Sequence, residues 1–335
     1  MIHPLSRATT YVETYAIRAG DGQRIMRGYA TGFFVRTEQA LLLVTNWHVV
    51  TGLDPENPSV MSLSALPPSF IKLTMRSKSE WLTELTVPLY GREGRPLWEE
   101  HPEGPAVDMV IYPLSLTLES YFVLVDIRAA VGGSEIDETV SKDVFILGYP
   151  FSKDEMRLGF GTDAPYYFPV WKRGSIATEP DVRLTGRILL IDSLTRPGMS
   201  GAPVLIAEDE TLIRIGSAEN AAIFEQRQRG EMSALDALCA LDTKSLSSMT
   251  EKRFRFLGVY SGVIGNTRLQ QVALGKCWHI DALRELIANS RAGVMPYHSP
   301  VPNPHYDAFF DELAGGELIR KDVTGTIVER VPLAR

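Results

Sequence analysis

The sequence predicts an all-β protein, a sandwich or barrel, closed by a helix near its end. Three observations predict it. Short runs rich in β-branched and aromatic residues recur at fairly even spacing. Gly, Pro, Asn and Asp punctuate the gaps between them. No β-α-β alternation is evident, which argues against a doubly wound sheet.

Strands are expected at 29–36 ("YATGFFVR"), 41–45 ("LLLVT"), 70–75, 108–114, 121–125 and 143–149. Further strands are expected at 167–177, 187–193, 202–207, 212–216 and 255–264. Residues 217–254 break this rhythm, being polar, Ala-rich and poor in β formers. They are expected to form a long insertion between two strands, of a length that is usually functional or disordered. In "HIDALRELIANS", Asp281 is placed to cap a helix, with Ile280, Leu283, Leu286 and Ile287 on one face. Beyond Arg291 the chain is rich in Pro and polar residues, as expected of an extended arm, with "YDAFFDEL" as one or two helical turns.

The chain has 335 residues, 44% hydrophobic and 22% charged, enough for a sizeable core. Its net charge of −7 and scattered basic residues exclude nucleic acid and an anionic membrane as expected partners. Two cysteines, Cys239 and Cys277, make no disulfide framework. The first residues carry no apolar core of signal-peptide length, and no run is long enough to span a bilayer. A cytoplasmic location of bacterial style, with reduced thiols, is therefore expected. His3, His101, His279, His298 and His305 lack a Cys or acid at ligand spacing, so neither a metal nor a cofactor is expected.

Three local patterns carry chemistry together. "LLLVTNWHVV" (41–50) ends an apolar strand in Thr45-Asn46-Trp47-His48. "AVDMVIYPL" (106–114) sets Asp108 at the head of a strand. "RPGMSGAPVL" (196–205) sets Ser200 between glycines on a tight turn. Acyl transfer needs a nucleophile, a base to take its proton, and a carboxylate to orient that base. Ser200, His48 and Asp108 supply these three roles. The N–H groups of Gly198 and Ser200 can hold the oxyanion, with Gly198 permitting the required backbone. Singly, His48 reads as a core histidine and Ser200 as a simple turn; their combination favours the catalytic reading. Asp126 in "LVDIRA" competes with Asp108, but Asp108 directly precedes an alternating apolar strand. Trp47 is expected to pack and to shield the His48–Asp108 pair from water.

With these motifs in order, the chain resembles the trypsin/chymotrypsin-fold serine peptidases, of the bacterial type related to Deg-family proteases. "TGFFV…LLLVTNWHVV", "VDMVIYPL", "VFILGYP", "KRGSIA", "GMSGAPVL", "FLGVYSGV" and "LGKCWHIDALREL" resemble successive segments of that family over roughly residues 25–290. The resemblance implies two six-stranded antiparallel β-barrels with a C-terminal helix. It implies an N-terminal barrel over 1–130 carrying His48 and Asp108. A second barrel over 131–290 carries Ser200 and the 217–254 insertion, and 291–335 is an extension. It also implies that Leu194 floors the pocket for the residue before the scissile bond, and that Tyr260, Ser261 and Gly262 run along the substrate backbone.

The departures are as informative. Secreted, zymogen-activated relatives carry an aspartate where Met199 stands, and methionine cannot form its ion pair with a freed N-terminus. Control is then expected from expression, an activating partner or loop ordering, with 217–254 and the extension as the places a partner would engage. Leu194 disfavours cleavage after Lys or Arg, and an apolar or small residue is expected there. The roughly 45 residues after Arg291 are too few for a peptide-binding domain.

The sequence thus reads as a selective, regulated serine endopeptidase acting on protein or peptide substrates. A catalytically silent or partner-activated binding module on the same fold is the alternative. An esterase of the α/β-hydrolase type ranks lower, because that fold wants the order Ser, acid, His with an α/β alternation.

Overall fold

The computed structural model describes residues 2–58, 66–78, 82–131, 136–155, 168–263, 274–296, 304–314, 317–321 and 327–332. The first half contains helix α1 (Pro4–Arg7) and strands β1 (Thr9–Ile17), β2 (Arg24–Arg36) and β3 (Leu41–Thr45). Helix α2 (Trp47–Thr51), β4 (Phe70–Arg76), β5 (Leu82–Pro88), β6 (Glu99–Glu100), β7 (Val110–Leu114) and α3 (Ile127–Ala130) follow. The second half holds β8 (Asp143–Gly148), β9 (Val170–Ile176), β10 (Ile188–Asp192), β11 (Pro203–Ile215), helices α4 (Ala218–Gln228) and α5 (Ala234–Ala240), β12 (Leu246–Val263) and β13 (Leu274–His279). Helix α6 (Ile280–Asn289), β14 (Arg291–Ala292), α7 (Pro304–Ala314), β15 (Glu317–Lys321) and β16 (Ile327–Pro332) complete the chain.

Burial follows the sequence pattern. The alternation in β4 and β5 puts every second side chain inside, as in a half-buried strand. "LLLVT" of β3 is apolar on both faces and is buried throughout. Strands β8–β13 close into a six-stranded barrel in the order β10-β13-β12-β11-β8-β9, around a core that includes Val144, Ile146, Leu189 and Val204. The first half has more strands than the six that the resemblance implied. Its strands form an eight-stranded sheet, β14-β6-β7-β3-β2-β1-β4-β5, because the two-residue strands β6 and β14 extend it. Its own core holds Phe34, Trp47, Phe70 and Tyr90.

Several elements differ from the sequence expectation. Residues 121–125 form no strand; only Phe122 bridges Ser77, between a 3-10 turn (Leu116–Ser120) and the α3 cap. The runs at 202–207 and 212–216 are one strand, since no Gly or Pro interrupts Glu208-Asp209-Glu210. β1, passed over in the sequence, pairs with both β2 and β4. His279, not Asp281, caps α6: its side chain accepts the Asp281 N–H, which leaves Asp281 in the first turn beside Arg183. Helix α7 runs for 11 residues, longer than two turns, and buries Tyr306 and Phe309 in the first core.

Residues Ala207–Phe254 form a separate compact unit. The insertion within it is not a structureless loop. Ser217 and Ser233 cap α4 and α5, and the fully buried Asn220 ties the unit together through Asp242 and Ser245. Ion pairs Asp209–Lys252 and Glu210–Arg253 join its two strand segments.

Candidate active site

Register brings the first pair together. β3 runs antiparallel to β7 with Thr45 opposite Val110, so the chain just after Thr45 and the chain just before Val110 lie side by side. His48, on the short helix α2, and Asp108 meet there. His48 Nδ1 lies 2.8 Å from Asp108 Oδ2, and the His48 backbone N–H donates to Oδ1 at 3.0 Å. Asp108 is 2% exposed. Its carboxylate takes a third hydrogen bond, 2.5 Å from the Ser261 hydroxyl, and its carbonyl accepts from Asn46 Nδ2 at 2.6 Å. A carboxylate held by several donors is fixed in place and accepts from the ring nitrogen that faces it. Nδ1 therefore carries the hydrogen and Nε2 presents its lone pair. Burial alone would lower the His48 pKa, but the charge and hydrogen bond of Asp108 outweigh it and the net shift is upward. Asp126, the competing acid, instead caps α3 and pairs with Arg128.

Trp47 is fully buried, and its indole Nε1 donates to Glu100 at 3.1 Å. It packs and does not face substrate.

The second element is the 196–202 turn. Gly198 has φ +94°, and a Cβ there would meet the Tyr149 carbonyl at 2.2 Å and the Tyr29 ring at 2.5 Å. Gly201 has φ +81°, and a Cβ there would meet the Thr31 carbonyl at 2.2 Å. Only glycine fits both places. Thr31 of β2 clamps the turn from the first half. Its N–H donates to the Ser200 carbonyl at 2.8 Å, and its hydroxyl donates to the Gly198 carbonyl at 2.8 Å. The Tyr149 N–H donates to the same hydroxyl at 3.0 Å. Met199, 1% exposed, packs in the second core with its sulfur against Gly148. Among the described residues, no acceptor takes the N–H of Gly198 or Ser200.

Two cavities open on this place, and both are lined by His48 and Ser200. One, of about 300 Å³, is walled by Arg27, Tyr29, Pro68 and Gly198. The other, of about 520 Å³, is walled by Asp54, Glu56, Ser261, Gly262 and Lys276. Two residues expected to bind substrate, Leu194 and Tyr260, line neither cavity. Leu194 is 66% exposed. Tyr260 is 1% exposed; its hydroxyl bonds Thr195, and both its backbone groups are taken by Gly201 and Ala202. Its backbone has nothing left to offer a peptide. Ser261 and Gly262 do line a cavity, and Gly262 has open space where a Cβ would be. The Ser261–Asp108 contact was not foreseen. Nothing local to "YSGV" signals it, since the two residues are far apart in sequence.

A mostly-strand protein with a closed second barrel, a part-buried His–Asp pair in one half and a glycine-flanked serine turn in the other defines the trypsin-like class. Residues 30–213, just over half of the chain, match the model of the trypsin-like peptidase domain, and the chain belongs to that family. Among solved structures it is similar to Rv3671c of Mycobacterium tuberculosis H37Rv, a serine-to-alanine mutant in an inactive form. That match has 14% identity, covers 85% of this chain and 86% of the other, and has a TM-score of 0.38. No curated protein matches the chain.

Proposed function

We propose that the protein is a serine endopeptidase working through an acyl-enzyme. The observation that carries this reading is the 2.8 Å His48–Asp108 contact, with His48 lining both of the cavities that Ser200 lines. His48 Nε2 takes the Ser200 hydroxyl proton as the oxygen attacks the peptide carbonyl carbon. The Gly198 and Ser200 N–H groups hold the resulting oxyanion. As the C–N bond breaks, His48 returns the proton to the departing amine. Water, deprotonated by the same imidazole, then releases the acyl group and restores Ser200. Asp108 keeps the Nδ1–H in place and stabilises the imidazolium throughout. The backbone at Ser261 and Gly262, which line one of the cavities, takes the acyl half of an extended peptide by strand-like pairing.

Met199 sits in the core where zymogen relatives need a charged switch, and its side chain offers a freed N-terminus no ion pair. On this reading the two cavities that Ser200 lines would select among protein substrates. A fluorophosphonate probe tests the reading. Labelling of the wild type, abolished in Ser200→Ala, is expected; a wild-type protein that resists the probe and cleaves no peptide overturns it.

A further inference from the structure

Resting on that reading, the two cavities divide the substrate. The acyl half lies along Ser261 and Gly262, so the leaving-group half must exit through the cavity walled by Gly198, Pro197, Tyr29 and Arg27. This second cavity carries a cation placed by a specific backbone feature. β1 and β2 pair with Thr14 opposite Gly28 and Tyr15 opposite Met26, so Arg27 is the extra residue of a β-bulge. A bulge re-aims the side chain it carries, and here Arg27 lines the cavity that holds His48 and Ser200. Among the described residues its guanidinium has no hydrogen-bond or ion-pair partner.

The neighbouring charges do not cancel it. Glu155 accepts from the Ser152 N–H and the Tyr29 hydroxyl, and lies 3.8 Å from Arg196, itself 57% exposed. Glu155 and Arg196 lie outside the lining of this cavity, in which, among the described residues, Arg27 is the one Lys, Arg, Asp or Glu side chain. Val49, Leu66, Pro67 and Pro68 supply its apolar walls, which strengthen a charge interaction. The acyl side has the opposite balance: Glu56 and Lys276 pair at 2.8 Å, leaving Asp54 as the surplus charge.

We propose that Arg27 is a specificity-determining residue that selects substrates with Asp or Glu among the first three residues after the scissile bond. Nothing on the acyl side shares that preference, so the acid is selected by position and not by overall peptide charge.

Digestion of a proteome-derived peptide library, with cleavage sites read by mass spectrometry, tests this on the full chain. Wild type is expected to enrich Asp and Glu about three- to fivefold in those positions, the span of a partly exposed ion pair, and less at raised salt. Arg27→Glu is expected to invert the preference toward Lys and Arg there, leaving the acyl-side profile in place. Cleavage with no acidic enrichment, or with enrichment unmoved by Arg27→Glu, overturns the assignment of Arg27 while the protease reading stands. Absence of both cleavage and Ser200-dependent probe labelling overturns the protease reading and the assignment together.

Discussion

Glu100 accepts the indole N–H of Trp47 at 3.1 Å while also binding Arg291 through Nε at 3.1 Å and Nη2 at 2.9 Å. It is 1% exposed, and it also takes the Val294 N–H at 3.3 Å. Trp47 immediately precedes His48, so this carboxylate anchors the start of α2 to the segment just after α6. Glu100 is a positioning residue for His48. Glu100→Ala leaves the buried indole N–H unpaired and is expected to lower stability by about 2–3 kcal/mol in urea unfolding. It is also expected to lower kcat by about tenfold with a small change in KM, an effect of the size one kcal/mol or so of misplacement gives. Glu100→Gln keeps an acceptor for Trp47 and should recover most of kcat. A Glu100→Ala protein with full kcat would remove the positioning role.

The protonation of His48 sets the acid limb of the pH profile. The base must be neutral to accept the Ser200 proton. Its pKa is raised above 6.5 because Asp108 more than offsets burial. Activity should therefore be lost as pH falls through a value above 6.5. Stability runs the other way. The charged pair stabilises the fold below 6.5, and that contribution is lost as pH rises through the raised pKa. Asp108→Asn should move the acid limb downward and cut kcat by about 10³–10⁴, the range a mis-set tautomer produces. A kcat/KM profile with an unmoved limb in Asp108→Asn would assign the ionisation to another group.

What was legible in the sequence was what local pattern encodes. Thr45-Asn46-Trp47-His48 closes a strand, Asp108 heads another, and the β3–β7 register brings them together as the order of strands required. The serine turn was readable because two glycines must take positive φ there. What was not legible depends on distant partners. Tyr260 looks like an edge residue until the turn at Gly201 and Ala202 takes both its backbone groups. Leu194 was placed by the family resemblance, and a resemblance does not show which way a loop side chain faces. The eight-stranded sheet depends on β6 and β14, two-residue strands that no periodicity reveals.

Gly198, like Gly201, admits no side chain in the serine turn. Its Cβ position lies 2.2 Å from the Tyr149 carbonyl and 2.5 Å from the Tyr29 ring, and its φ is +94°. Gly198→Ala must move the peptide that would hold the oxyanion. A loss of about 10²–10³ in kcat is expected, the size of removing one oxyanion donor. Circular dichroism should remain that of a folded β protein, because the strands on either side keep their pairs. Retained turnover in Gly198→Ala would place the oxyanion donors elsewhere.

Met199 seats the same turn by packing where a charged switch would use an ion pair. It belongs to the buried cluster that includes Val144, Ile146, Ala202 and Leu257, so the turn is tied to the core of the second barrel. Met199→Ala opens a cavity in that core and should cost about 2–5 kcal/mol in chemical unfolding. Met199→Leu conserves volume and should cost less than about 1.5 kcal/mol. Met199→Asp puts an unpaired carboxylate into an apolar core and should destabilise more than alanine does. If packing is the device, probe labelling of Ser200 follows stability across the series, high in Met199→Leu and lowest in Met199→Asp. Labelling of Met199→Asp at the wild-type rate would mean that the turn forms without its core contact.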